Sequence, residues 1–180
     1  YRYDQMDTNS SENSSMQMGT NSTAYYFSVA SSSIANFFDE MYLNTPWEQH
    51  YNNLDGRTIL DRLASVKYFV VKKGKESDLP YGYSRLSGEA EKNGKTYLAY
   101  ADEDALPLGY TYDSWISRED YDKMTVTEKQ QALLQGVVLD DSSLPETETH
   151  FNDREVSYYT SEGKGCRLKN GKVVVTQENA

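Results

Sequence analysis

The chain has 180 residues, 37% hydrophobic and 26% charged, with a formal net charge of -10. That size and balance fit one good-sized domain, or one domain and a fragment of another, and the acidity argues against a nucleic-acid footprint. A single cysteine, Cys166, excludes an internal disulfide, and no stretch reaches the ~18 apolar residues of a membrane span. Tyrosine is over-used, 16 against 5 phenylalanines. Its ring buries while its hydroxyl stays polar, which suits a wet, half-exposed sheet or a polar binding surface. The sequence starts at Tyr1 rather than Met, as expected of a piece of something longer.

In chain order, residues 1–8 alternate Tyr, Arg, Tyr and predict a short strand. The Asn/Ser-rich stretch 9–23 predicts a loop. Its sequons at Asn9, Asn13 and Asn21 follow from that composition. Tyr25 to Val29 predicts a strand. Ser31–Ser33 can cap a helix over 33–43, whose Ile34, Phe37, Phe38, Met41 and Tyr42 form an apolar stripe. Asn44-Thr45-Pro46 breaks it. Residues 46–56 predict an aromatic, polar loop, and 57–64 a short helix. Val66 to Val71 is the strongest strand, and its near-continuous apolar run predicts burial on both faces. Lys72 to Pro80 is a charged loop. Asn93-Gly94 predicts a hairpin between strands at 83–91 and 95–101.

Residues 104–141 are the best-specified stretch. An extended run from Leu106 to Trp115 leads to a helix start at Ser117, with Glu119 and Asp120 placed as in a capping box. A second start falls at Thr125 or Thr127, with Glu128 in the first turn. Leu133, Leu134, Val137 and Val138 then predict one apolar stripe on a helix over 125–139. Ser142 to Glu146 reads as a linker. Residues 150–159 and 165–176 predict strands, with a second Asn-Gly turn at Asn170-Gly171. The expected organisation is an α+β domain over 1–145, a mixed or antiparallel sheet with packed helices. A β-rich tail follows over 146–180, as a strand pair or the start of a second β domain.

Few residues carry recognisable chemistry. His50 and His150 lack neighbours at metal-ligand spacing, and Cys166 lacks a base, so neither a metal site nor a cofactor is expected. No Gly-rich phosphate loop or nucleophile elbow is present. Asp102, Glu103 and Asp104, like Asp140 and Asp141, read as solvated turns. An alternative is a free-standing secreted glycan hydrolase using Asp102 and Asp104 as paired carboxylates. Another is a protein-interaction module displaying the helix at 125–139. The more informative set is aromatic: Tyr25, Tyr26, Trp47, Tyr81, Tyr83 and Trp115, with Tyr51, Tyr110 and Tyr112, fall at strand ends or in loops. Rings beside hydroxyl and amide groups can hold sugars, so the first six are candidate glycan contacts; the bland alternative is packing in a wet core.

The order of the pieces carries a resemblance. Tyr26-Phe27-Ser28 precedes a helix ending near Leu43-Asn44. Leu63-Ala64-Ser65-Val66-Lys67-Tyr68-Phe69-Val70 and Pro80-Tyr81-Gly82-Tyr83 come next, then Ala105-Leu106-Pro107-Leu108-Gly109-Tyr110 and Gln131-Ala132-Leu133-Leu134. This order resembles the extracytoplasmic portion of the YfhO-like bacterial membrane proteins, over roughly residues 1–145. The resemblance implies a polytopic parent of the GT-C-like glycosyltransferase type in Gram-positive bacteria. Such a parent would transfer a sugar from an undecaprenyl-phosphate carrier to lipoteichoic acid outside the cell. It places this chain on the extracellular face of the membrane, held there by flanking transmembrane helices outside this sequence. Its expected partners are a cell-wall glycan or the carrier-linked sugar. Catalytic residues of such enzymes lie in membrane-proximal loops, so no catalytic residue carries over. Ser28, Lys67, Tyr68, Pro107 and Gly109 look like fold determinants.

Overall fold

The computed structural model describes residues 1–6, 13–29, 31–45 and 49–140, and the backbone of 166–169 and 172–175. Strand β1 (Arg2–Gln5) opens the chain, followed by a one-turn helix α1 (Ser14–Met18), strand β2 (Tyr25–Tyr26) and helix α2 (Ser32–Glu40). Strand β3 (His50–Tyr51), helix α3 (Thr58–Leu63) and strand β4 (Val66–Lys72) come next. Short strands β5 (Ser84–Arg85) and β6 (Ala90–Lys92) lead to β7 (Lys95–Ala101). Then come β8 (Trp115–Ser117), α4 (Arg118–Asp122), α5 (Val126–Gln135) and β9 (Val137–Leu139). Strands β10 (Cys166–Lys169) and β11 (Lys172–Val175) close the described chain.

β4 sits inside a five-stranded sheet, parallel to β1 and antiparallel to β7, which also pairs with β5 and β6. The fold is α+β with a mixed sheet, as the sequence implies. The central place of β4 is as expected, but its double-sided burial is not. Phe69 and Val71 face a core with Tyr83, Leu98 and Tyr100, whereas Tyr68 on the other face is 40% exposed. Register places Tyr68, Val70 and Lys72 beside Ala101, Ala99 and Tyr97 on that second face. A second core gathers Phe38, Met41, Leu54, Leu60, Ile116, Tyr121 and Ala132 from the helices and the β3 and β8 segments. Four buried tyrosines, Tyr51, Tyr83, Tyr100 and Tyr121, account for part of the tyrosine excess.

Several local expectations hold for chemical reasons. Asn93 and Gly94 both adopt positive φ, 52° and 68°, the geometry a two-residue hairpin needs between β6 and β7. Thr125 and Glu128 form a reciprocal capping box at the start of α5, and Ser117 Oγ accepts from Asp120 N at α4. β10 and β11 pair antiparallel as the second hairpin predicts; the strand expected at 150–159 lies outside the described residues.

Four expectations are corrected. The 9–23 loop contains α1, closed by Gly19 at φ 64°. The 83–91 strand is split into β5 and β6 around Gly88 at φ 96°. On α2, Phe38 and Met41 are buried but Ile34 and Tyr42 are exposed, since the helix stops at Glu40 and Tyr42 turns to φ 47°. The fourth is α5, which ends at Gln135, so Val137 and Val138 do not extend a helical stripe. They form β9, parallel to β8, while Ala132 supplies the fully buried contact.

Gly136 makes that break. Its backbone is extended and passes so close to Ser114 that a Cβ would lie 3.0 Å from the Ser114 carbonyl oxygen. Gly136→Ala is expected to destabilise the fold by about 1–3 kcal/mol through overpacking. Chemical denaturation checks it, and a loss under 0.5 kcal/mol means β8 and β9 can separate freely.

Candidate functional site

The aromatic candidates fall in three places. Tyr25 stacks on Tyr51 at 4.9 Å and tilts against Phe27 at 5.5 Å. Burial, with the Tyr51 hydroxyl adding, pushes its phenol up to about 12. Tyr26 stacks on His50 at 4.4 Å. The antiparallel β2–β3 pair therefore carries one ring pair on each face: Tyr25 with Tyr51 against the core, and Tyr26 with His50 on the other side. Tyr81 is 91% exposed and contacts the fold through its carbonyl, which accepts from Thr58 Oγ1 at 2.7 Å. Tyr83 is a core residue: its ring meets Phe69 at 5.4 Å and its hydroxyl donates to the Val66 carbonyl at 2.8 Å. Trp115 lies half-buried on β8 with its indole N–H buried and unpartnered. Trp47 lies outside the described residues. Tyr25 and Tyr26 are neighbours on β2 but face opposite sides of it, and the described rings do not share one cleft. Tyr110 and Tyr112 instead strap the 106–114 segment down, their hydroxyls donating to the carbonyls of Leu63 and Leu133.

The carboxylates at 102–104 meet one arginine. Arg62 on α3 grips Asp102 through Nε at 2.6 Å and Nη2 at 3.1 Å, and its Nη2 also reaches Asp104 at 2.8 Å. The Asp102 side chain is 2% exposed, and hydrogen bonding to it raises the Arg62 guanidinium above its usual range. Gly82, at φ 93°, passes close over this pair: a Cβ would sit 3.1 Å from Arg62 Nη2 and the guanidinium would have to shift. These two carboxylates are thus tied to one cation rather than set across a cleft, which removes the geometry a glycan hydrolase would need from them.

Behind that pair lies a seam of buried acids. Asp4 on β1 accepts from Thr23 Oγ1 and from Gln5 N, and burial pushes it up to about 7. Asp61 on α3 is buried, and among the described residues only the neighbouring Tyr83 hydroxyl bears on its carboxyl as a hydrogen-bonding group. Burial, then the charge of Asp4, pushes it up to about 8. The Tyr83 phenol is raised out of its normal range by the same burial and by Asp61, Asp102 and Asp4. Two acids held well above the usual carboxylate range therefore sit beside one that is paired with arginine. Among the described residues no group of His, Cys, Asp and Glu side chains could hold a metal ion.

A groove opens at the end of the sheet where β1 finishes and β4 turns. Gln5, Met6, Val70, Val71, Lys72, Lys75, Asp78 and Tyr97 line about 260 Å³. A second groove of about 300 Å³ shares Val70 and Tyr97 and continues past Gly88 and Ala99 on the open sheet face. The residues of the first groove were not among the sequence candidates. Their only local signal is the Lys72-Lys73-Gly74-Lys75 run after the strongest strand.

The chain belongs to the YfhO family of bacterial membrane proteins, whose family model matches residues 1–179. It is 28% identical over 129 residues to the uncharacterized protein YfhO of Bacillus subtilis strain 168. That match covers 72% of this chain but 14% of the relative, so the chain corresponds to a small part of a much longer protein. No solved structure matches it. No helix among the described residues is long and apolar enough to cross a membrane.

Proposed function

We propose that the chain is a non-catalytic domain on the extracellular face of a polytopic bacterial membrane protein. There it supports transfer of a carrier-linked sugar to a cell-wall polymer of the lipoteichoic acid type. The observation that carries this reading is the family match along residues 1–179, in a chain that aligns with 14% of its relative. The geometry of Arg62 adds support, because it engages both carboxylates that a hydrolytic reading would use. Tyr26 on β2 and the exposed Tyr81 remain the proposed glycan contacts.

The test is made in the full-length parent. Residues 1–180 are replaced by a flexible linker, membrane insertion is verified, and the sugar content of lipoteichoic acid is measured. The expected result is normal insertion with strongly reduced sugar. Unchanged sugar content overturns the proposal. Tyr26→Ala with Tyr81→Ala is expected to leave stability within about 0.5 kcal/mol while lowering sugar content; an unaltered content removes these rings from the glycan-contact role.

A further inference from the structure

Strand β1 is attached to the domain in an unusual way. Asp4 is the register partner of Phe69, which is fully buried in the sheet core, and Asp4 is itself 0% exposed. Alternation along a strand therefore turns an acid, rather than an apolar residue, toward the core. No residue of β1 belongs to either apolar core. What holds the strand is polar. Arg2 N donates to the Ser65 carbonyl at 2.7 Å, Tyr3 N to the Asn21 carbonyl at 3.0 Å, and Asn53 Nδ2 to the Gln5 carbonyl at 3.1 Å. β1 also lies at the edge of the five-stranded sheet, where its one neighbour is β4.

Asp4 meets Asp61 across the seam, and the other titratable groups facing the two are Tyr83 and Asp102. The cations of this region are committed elsewhere. Arg62 holds Asp102 and Asp104, Lys67 holds Glu103 at 2.8 Å, and Arg2 Nη1 donates to the Ala64 carbonyl. Carboxyls packed in this way fit the closed seam as long as they keep their protons; once ionised they need water. Water enters with least loss of packing at β1. The other elements around the seam are pinned. Leu60 fixes α3 in the second core, Arg57 Nη1 ahead of it donates to the Met41 carbonyl at 2.6 Å, and Phe69 and Tyr83 build the sheet core.

We infer that β1 is a proton-controlled latch: it packs on β4 and α3 while Asp4 and Asp61 are protonated, and lifts off when they ionise, leaving the rest of the domain folded. Release breaks the Tyr3–Asn21 and Asp4–Thr23 hydrogen bonds and uncovers the Val66–Val70 edge of β4. A free edge on the central strand is a template for another strand. The closed latch keeps protons that the open one gives up above about pH 4, so opening is favoured as pH rises. Burial holds Asp4 up to about 7 and Asp61 up to about 8. The open-to-closed ratio therefore climbs up to about 100-fold per pH unit while both acids are protonated, and about tenfold per unit while Asp61 alone is. The latch does not depend on the glycan reading above.

The experiment is amide hydrogen exchange on the 180-residue chain, read by NMR from pH 5 to 9 with and without low urea. Protection factors, which remove the intrinsic pH dependence of exchange, are compared at two places. Arg2 and Tyr3 report the latch; Val137, whose N–H donates to the Ser114 carbonyl at 3.1 Å, reports the β8–β9 region. The expected result is that protection at Arg2 and Tyr3 falls steeply with pH, depends little on urea, and is gone by about pH 9 while Val137 stays protected. Asp4→Asn is expected to remove about tenfold per pH unit of that fall and to move release to higher pH. Asp61→Asn, which leaves β1 unaltered, is expected to do the same, so the test stands even if an asparagine at position 4 does not fit the seam.

Equal protection at Arg2, Tyr3 and Val137 at every pH and urea concentration overturns the latch, because the acids then report unfolding of the whole domain. Protection at Arg2 and Tyr3 that does not change with pH overturns it, and so does an unaltered slope in the two asparagine variants.

Discussion

Replacing Arg62 with methionine is expected to lower stability by about 3 kcal/mol, the lower end of the range for breaking a buried pair. Asp102 would be left with its side chain 2% exposed and its cation gone. The backbone N–H of Asp104, at 3.0 Å from Asp102 Oδ1, would then be its one remaining partner given by the structure. The lower end applies because the Arg62 side chain is itself 29% exposed and water can reach part of the site. For a chain of this size the fall in Tm is on the order of 10 °C. Two further variants separate the pair from the arginine's packing. Asp102→Asn in the Arg62→Met background should recover much of the loss, since the stranded charge is removed. Asp104→Asn alone should change little, because that carboxylate is 74% exposed and its pairing is screened. Thermal and urea melts of the four proteins check the set. A single-variant loss under 1 kcal/mol means Asp102 finds water when Arg62 leaves. Gly82 bears on the same node. Any Cβ there enters the space of the Arg62 guanidinium while the backbone holds φ at 93°.

That node shows where sequence reasoning reaches and where it stops. Features written by adjacent residues were legible. Asn93-Gly94 turns because both residues tolerate positive φ, and Thr125 with Glu128 caps because each side chain reaches the other's backbone N–H. The apolar run at Val66–Val71 marked the central strand. What was not legible depends on partners distant in sequence. Leu133, Leu134, Val137 and Val138 keep helical spacing, yet a close approach between Gly136 and Ser114 turns the last two into a strand. Tyr83 looks like any loop tyrosine until Val66 accepts its hydroxyl and Phe69 its ring. Asp102 and Asp104 look like a solvated turn or a catalytic pair until Arg62, 40 residues earlier, is placed between them. The sheet-end groove combines Gln5, Lys75 and Tyr97, which nothing local relates. Asp4 and Asp61 carried no signal at all, because isolated aspartates in a sequence read as surface.

Those two aspartates make the stability of the domain fall as pH rises through the neutral range. Burial holds Asp4 up to about 7 and Asp61 up to about 8, against an ordinary value of 3.8. The folded chain therefore keeps protons that the unfolded chain releases above about pH 4. Stability contributed by the neutral acids is fully present below the unfolded value and is lost as pH rises to the folded ones. Each group contributes a slope of about 1.4 kcal/mol per pH unit. Both act up to about pH 7 and Asp61 alone up to about 8. Glu89, Asp120 and Glu128 behave oppositely. Hydrogen bonds from Lys73, Ser117 and Thr125, respectively, hold them below their ordinary values, so their contribution is lost only as the solution becomes strongly acidic. The windows barely overlap, and mildly acidic solution is the expected optimum. Asp61→Asn keeps the side-chain shape and removes one titration. It should come closest to wild type near pH 4, exceed it at pH 8, and flatten the slope between by about 1.4 kcal/mol per pH unit. Urea denaturation at pH 5, 6, 7 and 8 reads the slopes directly. An unchanged slope in Asp61→Asn would place the wild-type carboxyl in its ionised form at neutral pH, and the seam would then have to hold an uncompensated charge that Arg62, already bound to Asp102, does not meet.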